Sequence, residues 1–448
     1  MTVAVMRTKA EQAFSETFEA VAAKLPGGPE VSDTRKEAIG AFAGLGLPHR
    51  RVEEWKYTDL RSSLKQALLP AFGDAPPVLA KDIDAALEAL VEIDAHRVVF
   101  VNGAYRPELS APAGVRGLEV TSLGQALRKA GTPVSLRATP VPGQEAIIAL
   151  NTAFVTDGAV VHVAKDAQIE KPLLLVFARA GREARLLTTR NLITIGNGAR
   201  ATVIEIHVAL PGAADGQANA ISEIKAGAGA DATHIKVTLD GASTSHLAGW
   251  VIELAAGSTY RAFQLTAGTG LVRNHLLATF KGKDAKLDIS GCFLGRRSEH
   301  IDTTLVVDHA VPGCESRELF KGVLADRARG VFQGKVIVRP DAQKTDGKQM
   351  AQALMLSEEA EFDSKPELEI YADDVVCGHG STAAEIDEDL MFYLRSRGIP
   401  PNEARAMRIE SFVREALEKV ENERLREALS AIAVHRLEGL SAAQDGGS

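Results

Sequence analysis

The segment Val375-Val376-Cys377-Gly378-His379-Gly380 puts a thiol and an imidazole two residues apart, after a strand-like run over 368–371. In an extended chain, residues i and i+2 face the same way. Cys377 and His379 would then project together, within reach of one metal ion. Gly378 and Gly380 remove bulk and let a second backbone come close. The other reading of the same residues is a buried small thiol and a hydrogen-bonded histidine at a strand end. A Cys–His nucleophile pair would need an oxyanion hole and an orienting acid, and nothing nearby marks either. Valence adds an argument. Zinc sites and iron–sulfur clusters generally take four protein ligands. The chain has three isolated cysteines, Cys292, Cys314 and Cys377, and no Cys-x-x-Cys. A metal held by Cys377 or His379 therefore calls for ligands from a second polypeptide.

Other chemistry-bearing residues are less specific. His162, His207, His234, His246 and His275 lie in or beside β-rich runs and read as structural histidines. Cys292, in ISGCFLG, reads as core. Cys314 is flanked by charges that could lower its pKa. The acids of Glu299-His300-Ile301-Asp302 could serve a polysaccharide lyase. No nucleotide cradle is present: Gly347-Lys348 is followed by Gln349, and Gly282-Lys283 by Asp284, where Ser or Thr would be needed. There is no His-Glu-x-x-His helix and no Gly-x-Ser-x-Gly elbow. Glu53-Glu54-Trp55-Lys56-Tyr57 reads as an aromatic docking anchor.

The elements that must carry these residues fall into three textures. Phe14, Phe18, Val21, Ala22 and Leu25 form a helical stripe. Ser32-Asp33 can cap a second helix through Phe42, and Trp55, Leu60, Leu64 and Leu68 suggest a third. Gly- and Pro-rich connectors follow, with a strand at Val98-Val99-Phe100-Val101. From about 155 to 385, short β-rich runs alternate with small-residue turns, with a helix conceivable only at 350–356. The turns GNGARATV, GAGADATH, AAGSTYRA and GKDAKLDI, anchored at Gly198, Gly229, Gly257 and Asp284, recur at nearly 30 residues and then lapse. A period of that length built from strands fits one coil of a solenoid; an antiparallel sandwich with regular turns is the alternative. After residue 386 the pattern is helical. Leu390, Phe392, Tyr393 and Leu394 precede a Gly-Ile-Pro-Pro break, Asn402 can cap the next helix, and apolar faces run through Ile409 and Val413 and then Leu425 and Leu429. The expected layout is a helical region over 1–70, a connecting region with short strands over 71–150, a β core over 151–386, a helical region over 387–440 and a disordered tail over 441–448.

Composition narrows the function class. The 448 residues carry 51 Lys+Arg against 59 Asp+Glu, a net charge of −8, which argues against a nucleic-acid binder. No stretch is apolar enough to span a membrane. The N-terminal stretch has no apolar signal core, and the three cysteines suit a reducing cytoplasm. Only two Trp and five Tyr are available as sugar platforms.

Four runs carry a resemblance: RRVEEWKYTDLRSSL; SEHIDTTLVVDHAVPGCESRELFKGVL; GVFQGKVIVRPDAQKTDGKQMAQALMLSEEAEFDSKPELEIYADDVVCGHGST; and DEDLMFYLRSRGIP. Together they resemble the SufB/SufD family of iron–sulfur cluster assembly scaffolds, most densely over 292–400. The Cys-Gly-His-Gly run, and the lack of further cysteines, make the chain look like the SufD side of that family. The resemblance implies a mainly β fold, a right-handed parallel β-helix core flanked by N-terminal and C-terminal α-helical regions. It implies a non-catalytic scaffold subunit in a complex of SufB, SufC and SufD. It makes His379, with Cys377 beside it, the candidate metal residues, facing a transient Fe–S cluster shared with SufB across the ends of the β-helices. It places docking of the SufC ATPase on 387–440, with the Ile409 and Val413 face a candidate, although packing on the chain's own core is the favoured reading for any single residue there. No stably bound cofactor is implied for this chain alone, and a homodimer in isolation is compatible. A SufB-like self-pairing scaffold and a stand-alone β-helix carbohydrate enzyme stand as alternatives.

Overall fold

One backbone feature organises the core. Asp166, Gly198, Gly229, Gly257, Asp284, Gly313 and Lys344 all adopt left-handed conformations, with φ between 58° and 73°, at intervals of 27 to 32 residues. Their N–H groups bond from one turn to the next: Gly198 to the Ala228 carbonyl, Gly229 to Ala256, Gly257 to Lys283, Gly313 to Gln343 and Lys344 to Asp374. The turns thus stack along one edge as a continuous hydrogen-bonded ladder. The repeat does not lapse after Asp284, as the sequence suggested. It runs on through Gly313 and Lys344, masked because Lys344 carries a full side chain in a conformation usually left to glycine.

The computed structural model describes residues 7–111, 114–129, 135–137 and 141–441. Between the stacked turns, strands from Ala159–Val163 to Val376–Ala384 alternate between two parallel sheets, in orders that rise by two along the chain. This is a β-solenoid of about eight turns. The segment 350–356, where a helix was conceivable, falls largely in the strand Asp346–Met355. Alternate residues turn inward to a shared core that includes Leu287, Ile289, Phe320, Phe332 and Val336.

The two ends of the solenoid differ. At the N-terminal end, His96–Val101 pairs in parallel with Leu173–Arg179 and folds back on Ala104–Tyr105. Leu118–Ser122 lies antiparallel on Ala159–Val163. These pieces cap the first coil, as terminal repeats must if they are to shield a stack. At the C-terminal end, Glu361–Ile370 and Val376–Ala384 are the last strands of their sheets, each paired on one side only.

Helices cover the outer faces. Lys9–Val21 starts with a reciprocal Thr8–Glu11 capping box. The next helix is Pro29–Leu45, earlier than Ser32-Asp33 implied, because Pro29 is preorganised for the first helical turn. The expected third helix is only a 3₁₀ turn at Glu53–Trp55 and a single turn at Leu60–Ser63. Phe14, Phe18, Phe42 and Trp55 pack with Phe154 of Glu145–Phe154 in one cluster that reaches Leu247 and Leu271 of the nine-stranded sheet.

At the other end of the chain come Glu388–Ser396, Pro401–Leu417 and Glu423–Ser441. Pro401, not a cap at Asn402, opens the second of these. The last helix extends through Ser441, one residue beyond the expected boundary; the rest of the expected tail, 442–448, lies outside the described residues. No described helix is long and apolar enough to cross a membrane.

Candidate functional site

Cys377 and His379 lie on the strand Val376–Ala384, the edge of the ten-stranded sheet. Its register on Asp346–Met355 sets Cys377 opposite Gly347 and His379 opposite Gln349. On that neighbouring strand, Gly347, Gln349, Ala351 and Ala353 are buried while Lys348 and Met350 are exposed. Cys377 and His379 therefore occupy the inward phase at the open mouth of the solenoid. A Cβ on Gly347 would stand 3.7 Å from the Cys377 sulfur, an ordinary contact distance, so the thiol lies directly over the previous coil. The connecting turn is seated by buried Ala372 and half-buried Val375, which pack against the inner core.

The two groups differ in environment. Cys377 is half-buried, and burial pushes its thiol up; the Gly347 N–H works against this, while Asp346 and Glu318 add to the rise. Such a thiol is not a ready nucleophile, and it would lose its proton to a metal ion rather than to water. His379 is exposed and makes no hydrogen bond or ion pair among the described residues. Nor, among the described residues, do three or more His, Cys, Asp or Glu side chains form a group that could hold a metal ion.

The mouth also presents unpaired backbone. Val376 donates its N–H inward to the Thr345 carbonyl, so Cys377, His379 and Ser381 turn their backbone groups to the open edge. On the sister strand Glu361 donates inward to Ala328, which leaves Phe362, Ser364 and Pro366 facing out. The two edges are thus unlike. Pro366 has no N–H to offer a further strand and is flanked by Lys365 and Glu367. The edge through Cys377 carries Gly378, Gly380, Ser381 and Thr382, and no Asp, Glu, Lys or Arg.

The remaining candidates resolve into structure. His207 bonds Glu205 at 2.7 Å, His234 the Tyr260 hydroxyl at 2.9 Å and His246 Asp240 at 3.1 Å, all in the interior. His162 is exposed on a short strand. His275 is buried with neither ring nitrogen partnered among the described residues. Cys292 is core, under the Val413 carbonyl. Cys314 is buried in a turn and its thiol is raised by burial, not lowered by flanking charge, with the backbone N–H groups of Ala285 and Asp284 only offsetting this. Asp302 lies buried in an ion pair with Arg273 and accepts from Thr58, and His300 meets the same hydroxyl at 2.8 Å. Of the acids proposed for a lyase groove, Asp302 is thus covered by the helical head, and Glu299 is buried in its own turn, where it accepts from the Arg296 N–H. Ile409 and Val413 are each 1% exposed, packed with Val323 and Leu354 of the sheet. That face is taken by the chain's own core. Among the described residues, the large apolar side chains exposed on the C-terminal helices are Phe392, 73% exposed, Tyr393, 52%, and Met407, 46%.

Two buried residues at the mouth escaped the sequence reading. Glu318 lies opposite Gln349, and Gln349 opposite His379. They fall 31 and 30 residues apart, the coil period, so carrying the repeat past Asp284 would have found them.

Comparison with known proteins agrees with this architecture. Residues 8–175 match the family model described as SufBD protein N-terminal region, and 177–412 match SUF system FeS cluster assembly, SufBD core domain. The iron–sulfur cluster assembly protein SufD of Escherichia coli is 32% identical over 415 residues, 92% of this chain and 94% of that protein. An iron–sulfur cluster assembly SufBD family protein of Synechocystis is 32% identical over 86% of each chain. SufD of Bacillus subtilis is 23% identical over 90% of this chain and 93% of its own. A capped and helix-clad solenoid, matched over 8–175 and 177–412 by these two models and over 92% of its length by a SufD, belongs to the SufB/SufD family of iron–sulfur cluster assembly proteins and is most like SufD.

Proposed function

We propose that this chain is the non-catalytic, SufD-like scaffold subunit of a cytoplasmic SufB–SufC–SufD complex, and that a nascent Fe–S cluster forms transiently where its open mouth meets SufB. One observation carries this most strongly. Cys377 and His379 face inward on a terminal strand whose outer edge is unpaired, and among the described residues no group of three or more His, Cys, Asp or Glu side chains surrounds them. A cluster held by these two residues would draw its remaining ligands from a second chain. His379 is the principal ligand in this reading and Cys377 the secondary one. The cluster is cargo.

The C-terminal helices support the rest of the proposal. Pro401–Leu417 and Glu423–Ser441 pack onto the ten-stranded sheet through Ile409, Val413, Leu417, Leu425 and Leu429. A pull by SufC on these helices would be transmitted to stacked coils that deform little, so that movement collects at the interface between solenoids. With the Ile409 face covered, the SufC contact falls to the free side chains Phe392, Tyr393 and Met407.

A self-pairing, SufB-like scaffold would use the same open edge with a second copy of the chain. Co-expression with SufB and SufC homologues, followed by size exclusion and iron quantification, separates the two. The hetero-complex should elute together, and His379→Ala should lower its cluster yield while the circular dichroism spectrum stays that of wild type. A purified homodimer that holds a full cluster alone, or wild-type iron content in His379→Ala, would overturn the assignment.

A further inference from the structure

Glu318, Gln349 and His379 stand in one inward-facing row on three successive strands. Glu318 is 2% exposed and Gln349 3%. Neither carboxyl oxygen of Glu318, and neither amide atom of Gln349, has a hydrogen-bond partner among the described residues. Ser316, two residues before Glu318 on the same strand, has its hydroxyl paired with His309 at 3.0 Å. On the facing sheet the Ser364 hydroxyl is also buried and unpartnered. Four orphan atoms on two adjacent side chains, beneath the one exposed imidazole of the mouth, are far more than a packed interior normally leaves unsatisfied. Burial raises the Glu318 carboxyl to about 8, with Ser316 and Arg317 acting weakly against it. The lumen has been shaped around the pair. A Cβ on Gly334 of the opposite sheet would meet the Gln349 amide carbon at 2.5 Å, so the amide reaches across only because that position is glycine.

We propose that Glu318 and Gln349 are the inner ligands of a divalent-cation site, suited to iron(II), that His379 completes by turning inward. Neighbouring parallel strands lie ~4.8 Å apart. Side chains of Glu and His are long enough to lean from either side toward an ion held above Gln349. A carboxylate, an amide oxygen and an imidazole make a hard-to-borderline donor set that suits iron(II) or cobalt(II) and does not require sulfur. With three protein ligands at most, the ion keeps coordinated water and leaves readily, as a loading position ahead of cluster formation must allow. The ion replaces the proton on Glu318 and supplies the partner that the orphan oxygens lack.

This rests on the assembly reading for its purpose but is tested without it. The full-length chain, stripped with chelator, is titrated anaerobically with cobalt(II) alone and followed by equilibrium dialysis and visible absorption. About one ion per chain is expected, with affinity reduced about tenfold or more in both Glu318→Gln and His379→Ala, and unchanged in Cys377→Ser. Gln349→Leu serves the same purpose if Glu318→Gln does not fold. A wild-type chain that takes up no cobalt(II), or a Glu318→Gln chain that binds it as wild type does, overturns the proposal. Either result leaves the His379→Ala cluster-yield test of the assembly reading intact.

Discussion

The Arg273 guanidinium lies 3.9 Å from the centroid of the Trp55 ring, and Arg273 also donates to the Glu54 carbonyl at 2.5 Å. A fully buried cation on the solenoid is thus sandwiched between Asp302 of the next strand and the indole of the helical head. Gln333 donates to the same Glu54 carbonyl, so the short 3₁₀ turn is gripped by two coils at once.

Trp55→Ala should therefore do more than leave a hole. It exposes the Arg273–Asp302 pair and cuts the head loose, and the expected cost is about 3–5 kcal/mol. Urea unfolding measures the loss, and limited proteolysis should release the first 60 or so residues ahead of the solenoid. An unchanged midpoint would mean that the head is held elsewhere.

Ser381→Pro tests the open edge. Its N–H faces outward, so proline there removes a donor for an added strand and none from the existing ladder. Association with the partner solenoid should fall by at least tenfold in size-exclusion titrations, while the melting temperature moves by only a few degrees. Thr382→Pro, one residue on, breaks the ladder to Asp346–Met355 and should lower the melting temperature clearly.

Phe392→Ser and Val413→Asp should part company. Phe392 is free, so its loss should weaken co-purification of the ATPase without a change in stability. Val413 is buried against the sheet, and a carboxylate there should unfold the C-terminal helices. Equal effects of the two on stability would contradict the assignment of surfaces.

Stability should fall on both sides of neutrality, for opposite reasons. His246 and His309 are held down by burial to about 3 and about 4, from an ordinary value near 6.5. The unfolded chain takes up their protons first, so their contribution is intact above pH 6.5 and is lost as the pH drops toward 4. Glu318 is raised, so its contribution is full below its ordinary value near 4.5 and is lost as the pH climbs toward 8. Thermal melts from pH 5 to pH 8 check both limbs. Glu318→Gln should flatten the alkaline limb and steepen the acid one between about pH 4.5 and 6.5, where the two windows overlap and Glu318 opposes the histidines.

Much of this was legible in the sequence because it is repetitive. The strand-and-turn period announced a solenoid, and the i, i+2 spacing of Cys377 and His379 announced a shared face. The aromatic anchor at Trp55 was visible as an isolated large ring in a chain with few. What escaped was whatever depends on the third dimension of the stack. Glu318 and Gln349 look like ordinary polar residues until the register shows that they lie one coil and two coils beneath His379. Ile409 was open to two readings, with core packing favoured, because an amphipathic stripe does not say which of two surfaces it covers. Lys344 hid a turn because its type disfavours the conformation that the stack imposes on it.

The hydrogen-bonded ladder of turns also makes the molecule a ruler. Each coil is locked to its neighbours through both sheets and the ladder of turns, so the distance from the capped end to the mouth is counted in whole steps of ~4.8 Å. Excising one repeat, for instance between Gly229 and Gly257, would leave the chemistry of the mouth intact yet carry it a full step closer to the head and out of line with the C-terminal helices. An assembly that must present its imidazole at a set height above the neighbouring subunit can therefore tolerate changes within a coil far more easily than a change in how many there are.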